Sequence, residues 1–264
     1  MALIVLLSAQ GSPGVTTSAL GLALTWPRPV LLVDADPTGA SAVPAGYFHG
    51  ELDLDTGLVD LAVSHRYGVL AEDLPRAAMR IPGTSVEFLP GARSHAQART
   101  LIPLWEPLTD LLASLEPTGQ DVIVDAGRAG LTGSPEPLIT GSDLTLLTVR
   151  STLPALVGAK SWADTLRVQF DDQGAAGNLG LLLIGPGQPY TAREVAQVLQ
   201  IPVVAVLAWD PVTAEVYSRG VPPSRRFTSS ALVRSLNAAG AAIRSTLAAH
   251  QDELGVPAAA GGDT

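Results

Sequence analysis

An apolar run from Ala2 to Leu7 passes into a loop of small residues, Ser8-Ala9-Gln10-Gly11-Ser12-Pro13-Gly14-Val15-Thr16-Thr17, and then into a helical pattern. A strand that delivers a glycine-bearing loop into the start of a helix builds a cradle for an anion. Small residues let backbone N–H groups converge at the helix N-terminus, where the helix dipole adds partial positive charge. The shape is there, but the usual charge is not. Loops of this kind carry a lysine before the Ser/Thr that reaches the β- and γ-phosphates; here that position is Val15, and the chain's one lysine, Lys160, is far away in sequence.

The rest of the chain repeats a strand-helix alternation. Val30 to Val33 is an apolar run that ends in Asp34-Ala35-Asp36-Pro37, and Pro27 and Pro29 separate it from the first helix. Val86 to Leu89 reads as a third strand, stopped by Pro90-Gly91. Before it, Gly57 to Val63 and Leu70 to Ala78 read as short helices. After it, Arg93 to Leu115 returns to helical spacing, broken at Pro103 and Pro107. His95 falls in a polar loop and takes no role. Asp121 to Asp125 is a buried strand ending in Asp125-Ala126-Gly127-Arg128. Leu144–Val149, Leu179–Ile184 and Val203–Leu207 are further strands, each followed by a helical stretch, and Ser230 to His250 closes the chain as a helix. Thr191-Ala192-Arg193-Glu194 has the spacing of a capping box.

Such alternation predicts an α/β fold: a doubly wound, mostly parallel sheet of about seven strands with helices on both faces. Residues 1–250 are expected to form one domain and residues 251–264, rich in Gly and Ala, a flexible tail. Apolar residues make up 47% of the chain and charged residues 16%, which suits a sheet buried on both faces and excludes a disordered chain. The net charge of −9 provides no broad field for nucleic acid or anionic lipid, and Arg219, Arg225 and Arg226 are the best local basic group. Without cysteine there is neither disulfide nor thiolate metal site. No apolar stretch approaches the ~20 residues that span a bilayer, so the protein is expected in the cytoplasm.

In an open parallel sheet ligands bind outside the carboxyl ends of the strands, which places Asp34, Asp36 and Asp125 on the edge that carries the glycine loop. Carboxylates at strand ends can hold the water shell of Mg²⁺, and a glycine after such an acid brings a backbone N–H towards a γ-phosphate. Asp34 and Asp36 are equally suited to capping a turn.

Taken together, these residues resemble the MinD/ParA group of deviant-Walker P-loop ATPases. The resemblance covers the loop, then Val33-Asp34-Ala35-Asp36-Pro37 and Asp125-Ala126-Gly127, and continues through Gly57-Leu58-Val59-Asp60-Leu61 and Val86-Glu87-Phe88-Leu89-Pro90-Gly91. Ile201-Pro202, Trp209-Asp210-Pro211 and Gly220-Val221-Pro222 stand where the family has its late motifs. It implies a nucleotide site made of Gly11, Ser12, Gly14, Val15, Thr16, Thr17, Asp125 and Gly127. Thr16, Asp36 and Asp125 become the Mg²⁺ residues, and Asp36, with Asp34, the residue that positions the attacking water.

The departures from the family shape the functional expectation. Gln10 replaces the signature lysine that reaches a partner's nucleotide, and Val15 replaces the phosphate lysine. Pro13 removes a backbone N–H, Ala9 and Ser12 take two glycine positions, and Ile184-Gly185-Pro186 replaces the adenine-reading asparagine. ATP and Mg²⁺ are the expected ligands, held weakly or not at all. The expected function is a non-hydrolysing or very slow ATPase-like scaffold or regulator in positioning, partitioning or a secretion or pilus assembly. The alternative is an active partitioning ATPase whose missing lysines are replaced by an arginine, Arg128 or Arg150, or by a partner; a ligase of the same superfamily is a third class without a substrate-binding constellation to support it. A homodimer through the loop face is expected, formed without ATP and with Val15 and Pro13 desolvated between the copies. A protein partner of unspecified identity is expected, with no direct binding to nucleic acid or membrane.

Overall fold

The computed structural model describes residues 2–10, 13–39, 43–51, 56–115 and 119–253. Strand β1 (Leu3–Ser8) is buried along its whole length and is followed by α1 (Val15–Thr25) and β2 (Val30–Asp34). Helices α2 (Leu58–Arg66) and α3 (Leu70–Ala77) lead to a two-residue strand β3 (Met79–Arg80) and to β4 (Val86–Leu89). Then come α4 (His95–Thr100), α5 (Trp105–Ala113), β5 (Asp121–Arg128) and a short α6 (Glu136–Thr140). The second half runs β6 (Leu144–Arg150), α7 (Leu153–Asp172), β7 (Leu179–Ile184), α8 (Ala192–Leu199), β8 (Val203–Leu207), α9 (Pro211–Arg219) and α10 (Ala231–Glu253).

The strands form an eight-stranded sheet in the order β3-β4-β2-β5-β1-β6-β7-β8. All neighbours are parallel except β3, which pairs antiparallel with β4 at the edge. The expected count of about seven therefore misses only this two-residue strand, too short to show any period. β1 lies at the switch point: the chain first moves to one side through β2 and β4, inserts β5 next to β1, and then builds β6, β7 and β8 on the other side. A crevice opens at the carboxyl ends where the order reverses.

Alternation along β1 explains the two layers. Leu3, Val5 and Leu7 join one apolar cluster, covered by α2, α3, α5, α7 and α8 through residues such as Leu61, Leu74, Leu108, Phe170 and Leu199. Ile4 and Leu6 join the other, covered by α1, α9 and α10 through Leu20, Tyr217, Leu236 and Ile243. Successive side chains of a strand point to opposite faces, so a strand covered on both sides is apolar throughout.

At the amino end of the sheet a buried carboxylate ties the chain together. Asp121, fully buried, accepts from the Ala2 amide (2.8 Å) and the Trp26 indole N–H (2.8 Å), and pairs with Arg28 at 2.8 Å.

Some boundaries differ from the sequence reading. His95 begins a helix instead of sitting in a loop, with Ser94 as its N-cap. Pro107 does not break α5, because it is the third residue of that helix, where an N–H would have no intrahelical partner. α10 continues to Glu253, so the boundary expected at residue 250 falls inside a helix, and residues 254–264 of the expected tail lie outside the described residues. Among the described residues no helix is long and apolar enough to cross a membrane.

Candidate functional site

The glycine loop leaves β1 at Ser8 and enters α1 through Gly14, the N-cap residue, at φ 104°. That backbone conformation excludes most side chains, and among the described residues no side chain caps the first turn of α1, so its N–H groups remain directed at the crevice. Of the sequence-predicted loop residues, Gly14, Val15, Thr16 and Thr17 line a cavity of about 470 Å³ together with Asp36 and Gly127. Gly11 and Ser12 lie outside the described residues. Ser8, Pro13, Thr38 and Arg128 complete the same wall; sequence reasoning assigned Ser8 and Thr38 no role, although both directly flank the motifs.

The acids meet because the register makes them neighbours. Asp34 stands opposite Asp125 in the pairing of β2 with β5, and the Ala35 amide donates to the Asp125 carbonyl at 2.8 Å. Both side chains are buried, at 4% and 3% exposure. Burial pushes the Asp125 carboxyl up to about 7, and the adjacent Asp34 charge adds to this; the Thr16 hydroxyl opposes it, Asp36 raises it further, and the Gly127 amide, donating at 3.0 Å, lowers it. Asp36 faces the cavity and also accepts from the Thr38 amide at 2.9 Å, so it caps its turn as well. Gly127 lies at φ 62°, and a Cβ there would overlap the Asp36 carboxylate, which explains the glycine two positions after Asp125.

The two positions that replace lysines are both used within the chain. Gln10 donates through Nε2 to the Pro154 carbonyl at the start of α7, at 2.7 Å. Val15 is 6% exposed and packs into the apolar cluster under α1, and Pro13 is buried beside it. This corrects the expectation that Val15 and Pro13 are desolvated between two copies, since their own chain already covers them. The candidate replacement cations separate too. Arg128 is exposed at the cavity wall, whereas the Arg150 guanidinium lies 3.6 Å from the centre of the Trp209 ring.

A second, more apolar cavity of about 320 Å³ shares Pro13, Gly14 and Thr17 with the first and is floored by Ile184, Leu207 and Trp209. Asp210 in its wall is used as the cap of α9, accepting from the Thr213 amide at 3.1 Å and its hydroxyl at 2.7 Å.

This donor set fits a nucleotide with Mg²⁺. Uncapped amides of α1 suit phosphate oxygens, and the adjoining apolar cavity suits a base. Thr16, already hydrogen-bonded to Asp125, and Asp36 would hold the ion, which when bound supplies charge neutralisation at the phosphates. Among the described residues no three acidic or histidine side chains converge on one point, an arrangement compatible with an ion that keeps most of its water.

No protein-family model matches the chain, and a search of curated proteins finds no match. Solved structures do match. The cell division ATPase MinD of Pyrococcus furiosus superposes with a TM-score of 0.71 at 22% identity, over 93% of this chain and 99% of that one. The septum site-determining protein MinD of Pyrococcus horikoshii, complexed with Mg-ADP, gives 0.66 at 22% identity, over 96% of each chain. A ParA family ATPase of Chlorobium tepidum gives 0.68 at 16% identity, over 91% and 98%. With the eight-stranded sheet, the switch point at β1 and the loop entering α1, the chain has the fold of the MinD and ParA ATPases.

Proposed function

We propose that the chain is a MinD/ParA-like protein of one domain, working in the cytoplasm, that takes a nucleotide in its glycine-loop cradle and hydrolyses it very slowly or not at all. It would act as a dimerising scaffold or regulator for a protein partner in positioning, partitioning or a secretion or pilus assembly. The observation that carries this reading is the commitment of Gln10 and Val15 to their own chain, Gln10 to the Pro154 carbonyl and Val15 to the core. Phosphoryl transfer depends on positioning and on neutralising the charge that moves to the bridging oxygen. Losing one well-placed donor costs on the order of 3 kcal/mol, about two decades in rate; here two such positions have none to offer.

The Mg-ADP bound to the Pyrococcus horikoshii protein supports the cradle as a nucleotide site. A net charge of −9 supports the absence of direct DNA or lipid binding. The test is a steady-state phosphate-release assay on the purified chain with ATP and Mg²⁺. Background rates are expected; turnover that vanishes in Asp36→Ala would overturn the reading. For the dimer, light scattering should give the same doubled mass with and without nucleotide, and a monomer that pairs only on adding ATP would favour a working ATPase.

A further inference from the structure

We propose that Arg128 is the cation of the phosphate cradle, supplied from the end of β5 instead of from the loop, and that it binds the phosphates of a nucleoside di- or triphosphate. The inference rests on the nucleotide reading above and is independent of the rate of hydrolysis.

Three other basic side chains already have partners within the chain. Lys160, the only lysine, is bonded to Asp164 at 2.5 Å on α7. Arg150 is stacked on Trp209, and Arg219, in the wall of the apolar cavity, pairs with Glu215 at 3.1 Å. Arg128 lines the same cavity as Gly14, Thr16 and Asp36, and among the described residues no ion pair or side-chain hydrogen bond holds it. Its backbone is nonetheless fixed: Arg128 pairs with Ser8 in the sheet, and the Ala129 amide donates to the Ser8 carbonyl at 2.8 Å. The stem therefore starts beside the residue from which the loop departs, while the guanidinium has no partner among the described residues.

Charge makes such a group necessary. Asp34, Asp36 and Asp125 gather at these strand ends, and an incoming polyphosphate adds further negative charge. A guanidinium presents paired donors that match phosphate oxygens and stays charged at any physiological pH. A cation that grips the bound phosphates equally before and during transfer strengthens binding without accelerating the reaction, so binding and slow turnover are compatible in one site.

The test is calorimetric titration of the full chain with ATP and with inorganic tripolyphosphate, each with and without Mg²⁺. Arg128→Gln should weaken both ligands by about tenfold to a hundredfold, the range of a charge-assisted hydrogen bond. Arg128→Lys should recover part of the loss, and Arg150→Gln should leave tripolyphosphate affinity unchanged. Thermal melts matching the wild type would show that the exposed substitution leaves the fold intact. Wild-type affinity in Arg128→Gln would overturn the proposal while leaving the nucleotide reading in place, as would a loss confined to ATP, which would put Arg128 away from the phosphates. A wild-type chain that binds neither ligand would overturn both. Turnover in a phosphate-release assay on the same samples would remove only the slow-hydrolysis reading.

Discussion

The Gln10 side chain occupies the space that a side chain at Gly158 would need: a Cβ at Gly158 would overlap the Gln10 amide, whose Nε2 meanwhile donates to the Pro154 carbonyl. The glycine loop is thus fastened to the first turns of α7 across the crevice. Residue 10 is turned towards its own chain.

Gly158→Ala should separate the fastening from overall stability. Alanine favours the helix by about 1 kcal/mol over glycine, and the displaced Gln10 gives up one hydrogen bond of similar net worth, so the global change should stay within about 1 kcal/mol. The loop loses its anchor all the same. Amide exchange at Ser18, whose N–H donates to the Gly14 carbonyl at 2.8 Å, should rise several-fold in Gly158→Ala and in Gln10→Ala; unchanged exchange in both would show that the contact restrains nothing.

Asp121 should matter more than its ion pair suggests. Arg28 is half exposed, and Arg28→Ala leaves the buried carboxylate two of its three partners, so this loss should stay at about 1–2 kcal/mol. Removing the acid leaves the Trp26 indole and the Ala2 amide buried without their acceptor. Asp121→Ala should therefore cost about 2–4 kcal/mol in chemical denaturation. Equal losses in the two variants would mean that the ion pair, and not the buried hydrogen bonds, is the stabilising element.

Much of this architecture was legible because the sheet is apolar and its punctuation strong. β7 and β8 lie at the expected residues, and Thr191 with Glu194 forms the reciprocal capping box that its spacing announced. What escaped was short or distant. β3 and α6 hold two and five residues, and the single π-helical turn Val43–Tyr47 is as short, all too few for a period. The motifs located the acids and the loop, but not which arginine faces the cavity. Arg128 and Arg150 both end strands, and only the folded chain distinguishes them, with Arg128 in the cavity wall and Arg150 stacked on Trp209. The docking of Gln10 on α7 joins residues 144 apart and has no local signal.

The last expectation concerns Asp125, whose carboxyl burial and the neighbouring Asp34 push from an ordinary 3.8 to about 7. Below pH 3.8 the group is protonated whether the chain is folded or not. Between that value and about 7 the unfolded chain has released the proton while the folded chain retains it. The folded state therefore binds more protons, and stability falls as pH rises through this window, with no further change from this group above it. The full effect is on the order of a few kcal/mol by the size of the shift. Asp125→Asn keeps the shape and an acceptor for the Gly127 amide but has no proton to lose. Its stability, measured by chemical denaturation between pH 5 and pH 8, should fall less steeply than that of the wild type, and near pH 8 it should exceed it. Parallel curves for the two proteins would mean that Asp125 ionises normally in the folded chain and that the three carboxylates at the strand ends are better compensated than their burial implies.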